Sequence, residues 1–268
     1  MAIVHGNGPQ VGNILLSSEA SKDIVPPMPF DVCAAMSQGY IGYHLQQAMG
    51  EALRVRNKTT PVVALLTQVV VDKDDSAFQN PTKPIGPFYT EKEAIEIQAT
   101  KNYTMVEDAG RGWRRVVPSP VPKEIVEIDQ IKHLWDSSIV VACGGGGIPV
   151  VCDEEGALSG IAAVIDKDYA AELLAEKLEV DMLVILTAVD HVAINFNKPN
   201  QQNLTHATVA ECKKYIAEGQ FAPGSMLPKI QAAMRFVENN PTKKAIITSL
   251  DKVVDAIEGK VGTVVSFS

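Results

Sequence analysis

The chain has 268 residues, of which 46% are hydrophobic and 21% charged, with a formal net charge of −8. That length buries a large core without covalent staples, and an acidic balance with no basic block and no interleaved aromatic platform excludes a nucleic-acid surface as the partner. The cysteines Cys33, Cys143, Cys152 and Cys212 form no CxxC pair and the chain opens without the charged and apolar stretches of a leader, so the expected setting is reduced and cytoplasmic, with no membrane partner.

The chain opens on Ala2-Ile3-Val4 and runs straight into His5-Gly6-Asn7-Gly8-Pro9-Gln10. An apolar run ending in a glycine loop and then an amphipathic segment reads as strand, tight loop, helix, and such a loop lets backbone N–H groups approach an anion. Helical spacing follows over 32–54. Pro61 to Leu66, continuing through Val69-Val70-Val71, reads as one buried strand. Residues 72–114 then break the pattern: they are rich in Pro, Gly, Asn and charge, with one short helix expected near 90–100. A surface excursion and a functional lid both remain open for this stretch. Beyond it come a helix over 124–135, a strand at 139–143, a helix over 169–178, a strand at 182–186, a helix over 228–237, a strand at 245–248 and a helix over 252–257. The strands are continuous apolar runs and not alternating ones, as in parallel sheets covered on both faces. Strand alternating with helix predicts an α/β fold, a three-layer α/β/α sandwich with a mainly parallel sheet.

Besides the opening loop, three segments carry chemistry. Gly144-Gly145-Gly146-Gly147 follows a strand directly, where ligands bind in open α/β sheets and where bare peptide groups suit a charged ligand. Pro149 rules out a dinucleotide fingerprint, and the Gly259-Lys260-Val261 sequence lacks the hydroxyl of a Walker A loop. Asp166-Lys167-Asp168 opens a helix; one aspartate can cap it, and a capped helix with a solvated lysine is the favoured reading of these residues alone. In Gly224-Ser225-Met226-Leu227-Pro228-Lys229, Ser225 is a plausible N-cap and Pro228 suits the first turn. Lys229 then opposes the helix dipole, which makes sense where a phosphate binds. Glycine loops with several lysines, no evident base and no metal cluster suit phosphoryl transfer, in which positioning and charge neutralisation carry most of the catalysis.

These segments, together with Pro81-Thr82-Lys83-Pro84-Ile85-Gly86 and Gly112-Trp113-Arg114-Arg115, resemble the carbamate kinases of the amino acid kinase fold over essentially the whole chain. The resemblance implies one amino acid kinase domain over 1–268, with 72–114 as a protruding lid. It implies reversible phosphoryl transfer between ATP and carbamate, giving ADP and carbamoyl phosphate with Mg2+, commonly toward ATP in arginine catabolism by the deiminase route, in a homodimer. Its site residues would be Lys83, Lys167, Asp168 and Lys229 for the transfer. Gly6, Asn7, Gly8, Gly144, Gly145 and Gly146 would hold the substrate. Thr187, Val189, Asp190, Phe196, Ser225, Met226 and Lys229 would hold the nucleotide, with no protein-held metal site. The family's earlier strand and Gly-Gly-Asn loop precede the segment matching His5 and are not in this chain, so the alternative expectation is a nucleotide-binding module with weakened catalysis, or else a related amino acid kinase.

Overall fold

A computed structural model describes every residue except Ala109. The chain forms two compact units, residues 1–170 and 171–268.

The first unit begins with β1 (Ala2–Ile3), α1 (Gly8–Ala20), α2 (Phe30–Arg54), β2 (Val62–Ala64) and β3 (Gln68–Val71). It continues through β4 (Lys83–Tyr89), α3 (Glu91–Lys101), β5 (Thr104–Glu107), β6 (Trp113–Val117), β7 (Pro122–Ile125) and α4 (Ile128–Trp135). β8 (Ile139–Val141), β9 (Ile148–Cys152), β10 (Leu158–Gly160) and the start of α5 (Lys167–Lys177) complete it. β1, β8 and β2 form a parallel sheet in the order β1-β8-β2, and a second sheet runs β10-β9-β3-β7 with its β3–β9 pair parallel.

Three local expectations are corrected. The apolar run over 61–71 is two strands in two sheets, not one. Between them Thr67, fully buried, gives its backbone N–H to Gln38 Oε1 (2.8 Å) and its carbonyl accepts from Gln38 Nε2 (3.2 Å). A side-chain amide thus serves the Thr67 N–H, while the Thr67 carbonyl also accepts from the Ile148 N–H (2.8 Å), so the chain passes from one sheet to the other at this residue. The helix expected from 124 starts at Ile128, because Pro122–Ile125 pairs with β3. The stretch over 72–114 holds more than a helix: β4, β6 and β5 make an antiparallel sheet in that order. Prolines at 84 and 87 hide β4 from a strand reading, yet β4 is an edge strand, where a missing N–H is tolerated. Its pairing with β6 is irregular between Ile85 and Tyr89, where Gly86 has φ +71°. α3 is where the sequence puts it, started by a Thr90–Glu93 capping box and ended by left-handed Asn102.

The second unit holds most of α5, then β11 (Met182–Thr187), β12 (Val192–Ile194), β13 (Gln202–Leu204), β14 (His206–Thr208), α6 (Val209–Ala217), α7 (Met226–Asn239), β15 (Lys244–Ser249), α8 (Val253–Ile257) and β16 (Thr263–Ser266). Its sheet runs β11-β15-β16-β14; β11 and β15 are parallel from Met182↔Lys244 to Thr187↔Ser249. α7 buries Ile230, Ala233, Phe236 and Val237, and Ile246 and Ile247 of β15 are fully buried.

Within this unit Glu172 on α5 is 5% exposed, and its Oε1 has no hydrogen-bond partner among the described residues. Burial pushes its carboxyl up to about 7, with the nearby Arg235 charge opposing. A carboxyl whose folded pKa lies above its unfolded value favours the neutral form, so its stabilising contribution is full at acid pH and is lost as pH rises toward the folded value. Urea denaturation of the wild type should therefore lose about 2–3 kcal/mol more than Glu172→Gln between about pH 5 and about pH 8.5. Parallel pH profiles for the two proteins would contradict the assignment.

Candidate active site

In the first unit, two loops at the C-terminal ends of paired parallel strands lie against one another. β1 delivers His5-Gly6-Asn7, and β8 delivers Cys143 and the four glycines. The Gly145 N–H donates to the His5 carbonyl (2.7 Å), which ties the loops together. Cys143, Gly145, Gly146 and Gly147 all have positive φ, between +51° and +101°. Cβ atoms at Gly144, Gly145, Gly146 and Gly147 would overlap His5, Asn7, the Ile165 carbonyl and Val69 respectively. Glycine is required here by both conformation and close approach.

The sequence suggests a cradle of free amides, and the structure qualifies this. Besides the Gly145 amide, that of Gly146 donates to Cys143 O (3.0 Å) and that of Gly147 to Gly144 O (3.1 Å). The loop's contribution at these positions is a bare surface more than a row of donors. The open donors belong instead to the first turn of α1. Its N-cap is Asn7, whose side chain makes no capping bond and donates from Nδ2 to Ser37 Oγ (2.9 Å). Gly6 and Gly8 are exposed beside it.

Two residues outside the expected set hold this arrangement. Gln38 of α2, 4% exposed, donates to Gly144 O (3.0 Å) as well as clamping Thr67. Thr67 Oγ1 in turn accepts from the Cys143 N–H (3.0 Å). The one sequence signal is polarity out of place: Ser37 and Gln38 sit among Cys33 and Ala34 on the buried face of α2.

The lysines come in ion pairs. Lys83, first residue of β4, donates to Asp166 Oδ2 (2.8 Å), and Lys167 donates to Asp168 Oδ1 (2.6 Å). Asp168 thus holds one of these two lysines, and Asp166, which the sequence reading gave no catalytic role, holds the other. Asp166 also caps α5, accepting from the Asp168 N–H (2.9 Å). The Lys167 side chain runs past the first loop, its Cδ 3.4 Å from where a Cβ at Gly6 would lie. The solvated-lysine reading of Asp166-Lys167-Asp168 therefore gives way to a lysine held over a glycine loop. Burial alone would raise the Asp166 carboxyl, but the Lys83 ammonium, the Asp168 amide and the Lys167 charge outweigh it and hold it below its ordinary value. A carboxylate lowered in the fold stabilises above its unfolded pKa, and that contribution is lost as pH falls through the folded value. The stability gap between wild type and Asp166→Asn should accordingly be wide near neutral pH and shrink as pH falls below the ordinary aspartate range; an unchanged gap in urea midpoints would count against the Lys83–Asp166 pair.

The second unit carries the other expected residues. Thr187 ends β11 beside Ser249 of β15, and Ser249 Oγ donates to Asp190 Oδ1 (2.6 Å). Val189 lies between them in the chain, and Phe196 is 54% exposed between Asn195 and Asn197, both with positive φ. Ser225 occupies the N-cap of α7, but its hydroxyl makes no capping bond, contrary to the expected cap. Met226 and Lys229 follow on the first turn, each partly buried.

Residues 1–249 match the family model described as the amino acid kinase family. A carbamate kinase of Clostridium perfringens is 56% identical over 98% of this chain and 85% of its own length. One from Staphylococcus haemolyticus is 53% identical over 99% and 86%. Among solved structures, Giardia lamblia carbamate kinase bound to AMP-PNP matches with a TM-score of 0.92 at 46% identity, covering 99% of this chain and 84% of that one. A protein from Aeropyrum pernix K1 matches at 0.95 and 43%, covering 100% and 86%. The fold class is thus that of these structures, a layered α/β fold with a mainly parallel sheet. By family model, identity and fold together, the chain belongs to the amino acid kinase family and, within it, to the carbamate kinases.

Proposed function

We propose that this chain catalyses reversible phosphoryl transfer between ATP and carbamate, giving ADP and carbamoyl phosphate. The observation that carries the reading is the position of Lys167: its ammonium is held by Asp168 while its stem lies against Gly6. Carbamate is already an anion, so the reaction needs no base to deprotonate it. The difficulty is bringing two anions together, and fixed positive charge beside open helix amides answers it.

On this reading Gly6, Asn7 and Gly8, with the bare surface of Gly144, Gly145 and Gly146, receive the carbamate end. Lys167 neutralises the moving phosphoryl group, and Lys229 has the same assignment from the family resemblance. Asp168 and Asp166 fix the lysine heads. Residues 72–114 act as a lid that brings Lys83 to the reaction, a role supported by the Lys83–Asp166 pair spanning 83 positions of sequence. Thr187, Val189, Asp190, Phe196, Ser225 and Met226 are assigned to the nucleotide; the exposed Phe196 ring and the polar ends of β11 and β15 suit a base and a sugar.

Magnesium fits as an ion carried by the nucleotide. Asp166 and Asp168 are each engaged by a lysine, and the described residues hold no cluster of three metal-ligating side chains. Mg2+ commonly binds through substrate phosphates with few protein carboxylates. Bound so, it would screen the phosphate charge that the lysines meet.

Three wider assignments complete the proposal. A homodimer is supported by the exposed stripe Val32, Met36, Tyr40 and Tyr43 along α2. Four free thiols, three of them buried, support a reducing compartment such as the cytoplasm. The route proposed is ATP formation in arginine catabolism. Described residues include no helix long and apolar enough to cross a membrane.

The test of substrate class is ADP release from ATP with carbamate, glutamate, aspartate or uridine monophosphate as acceptor. Turnover with carbamate alone supports the reading. Turnover with an amino acid or a nucleotide favours a related kinase, and nucleotide binding without any turnover favours a binding module.

A further inference from the structure

Arg115 stands where an apolar residue belongs. It lies on β6, the central strand of the β4-β6-β5 sheet, and its cross-strand neighbours on one rung are Ile85 and Met105. Those two are 5% and 4% exposed, so that face of the sheet is a buried face. A charged side chain between two buried apolar ones breaks the pattern of a half-buried sheet, and such breaks mark functional positions. The next residue along, Arg114, points to the other face and is fully engaged, by Asp108 (3.2 Å), the Gly86 carbonyl (3.2 Å) and the Phe88 ring. Arg115 has no hydrogen-bond or ion-pair partner among the described residues. Its guanidinium lies 3.6 Å from the centroid of the Tyr103 ring, and burial lowers its pKa.

The guanidinium faces an open cleft between α1 and this sheet. Leu15, Leu16, Ile97 and Met105 give it apolar walls, and Tyr89 and Tyr103 add aromatic ones. The other charged lining residues are Lys101 and Glu19, which pair with each other. One positive charge is therefore left over in an apolar, aromatic cleft. A phosphate or carbamoyl phosphate is matched poorly by such walls, because it brings no apolar surface to bury.

We propose that this cleft binds a small monocarboxylate with a flat apolar body, its carboxylate taken by Arg115 in two parallel N–H···O bonds. The aromatic rings and leucines would cover the body. The cleft lies apart from the glycine loops but is joined to Lys83 by β4, since Ile85 lines it two residues further on and also packs with Val11, Phe30, Cys33 and Val117.

Calorimetry or saturation-transfer NMR with sodium benzoate, and benzamide as the neutral comparator, tests this on the whole chain. Wild type should bind benzoate saturably and benzamide about tenfold more weakly or less. Arg115→Gln should weaken benzoate by about tenfold while leaving benzamide unchanged. Leu16→Glu changes an exposed position, 48% accessible, and should repel benzoate even if the arginine variant fails to fold. No saturable benzoate binding, equal binding of the two probes, or undiminished binding by Leu16→Glu overturns the proposal. All of these readings are independent of kinase turnover.

Discussion

Replacing Lys167 with methionine is expected to lower the rate of ATP formation from ADP and carbamoyl phosphate by about 10²–10³-fold, most of it in kcat. Methionine keeps the apolar stem that lies against Gly6 and removes only the ammonium. The loss should therefore report the charge alone. Removing the ammonium also takes a partner from Asp168, which is 5% exposed, so part of any stability loss comes from that carboxylate. The double variant Lys167→Met/Asp168→Asn separates the effects: it should regain stability relative to Lys167→Met and remain as slow. Recovery of the rate along with the stability would mean that Lys167 serves the fold and not the reaction.

Gly146→Ala should be severely damaging for so small a substitution. Gly146 has φ +101°, and its Cβ would overlap the Ile165 carbonyl, which is backbone and cannot swing away. Conformational strain and overpacking together should destabilise by about 2–4 kcal/mol. The displaced atom precedes Asp166 directly, so the shift passes to the turn that aims Lys83 and Lys167, and turnover should fall by at least about tenfold. Gly12→Ala is the matched control: it sits in α1 with open space around it and should stabilise by about 0.5–1 kcal/mol. Thermal or urea unfolding of the two variants checks both signs, and equal effects would undo the close-approach argument.

The contrast between those glycines explains what the sequence made legible. A run of four after an apolar strand announces a site, because few other contexts tolerate it. It does not announce why each glycine is needed. The expectation of bare amides suits the composition, yet the chain folds so that Gly145, Gly146 and Gly147 donate within the loop pair, while the neighbouring side chains and the Ile165 carbonyl occupy the space of the missing Cβ atoms. Pairings distant in sequence were hidden for the same reason. Nothing local to Lys83 marks Asp166 as its partner, and nothing local to Gln38 marks its hold on Thr67 and Gly144. The β4-β6-β5 sheet was masked by its own edge chemistry, since prolines that protect an edge strand also erase its signature. By contrast α3 was plain, because capping is a signal carried within a few residues.

If the two lysine–aspartate pairs and the glycine loops move a phosphoryl group between carbamate and a nucleotide, the lysine charge must be needed for turnover. The direct measurement is ATP formation from ADP and carbamoyl phosphate with magnesium, read through a coupled enzyme and run on folded wild type beside Lys167→Met. Wild type should form ATP robustly and in proportion to enzyme, and the variant should nearly lose this activity. Folded wild type that makes no ATP would refute the proposed reaction, and a variant that makes it as fast would refute the role of Lys167.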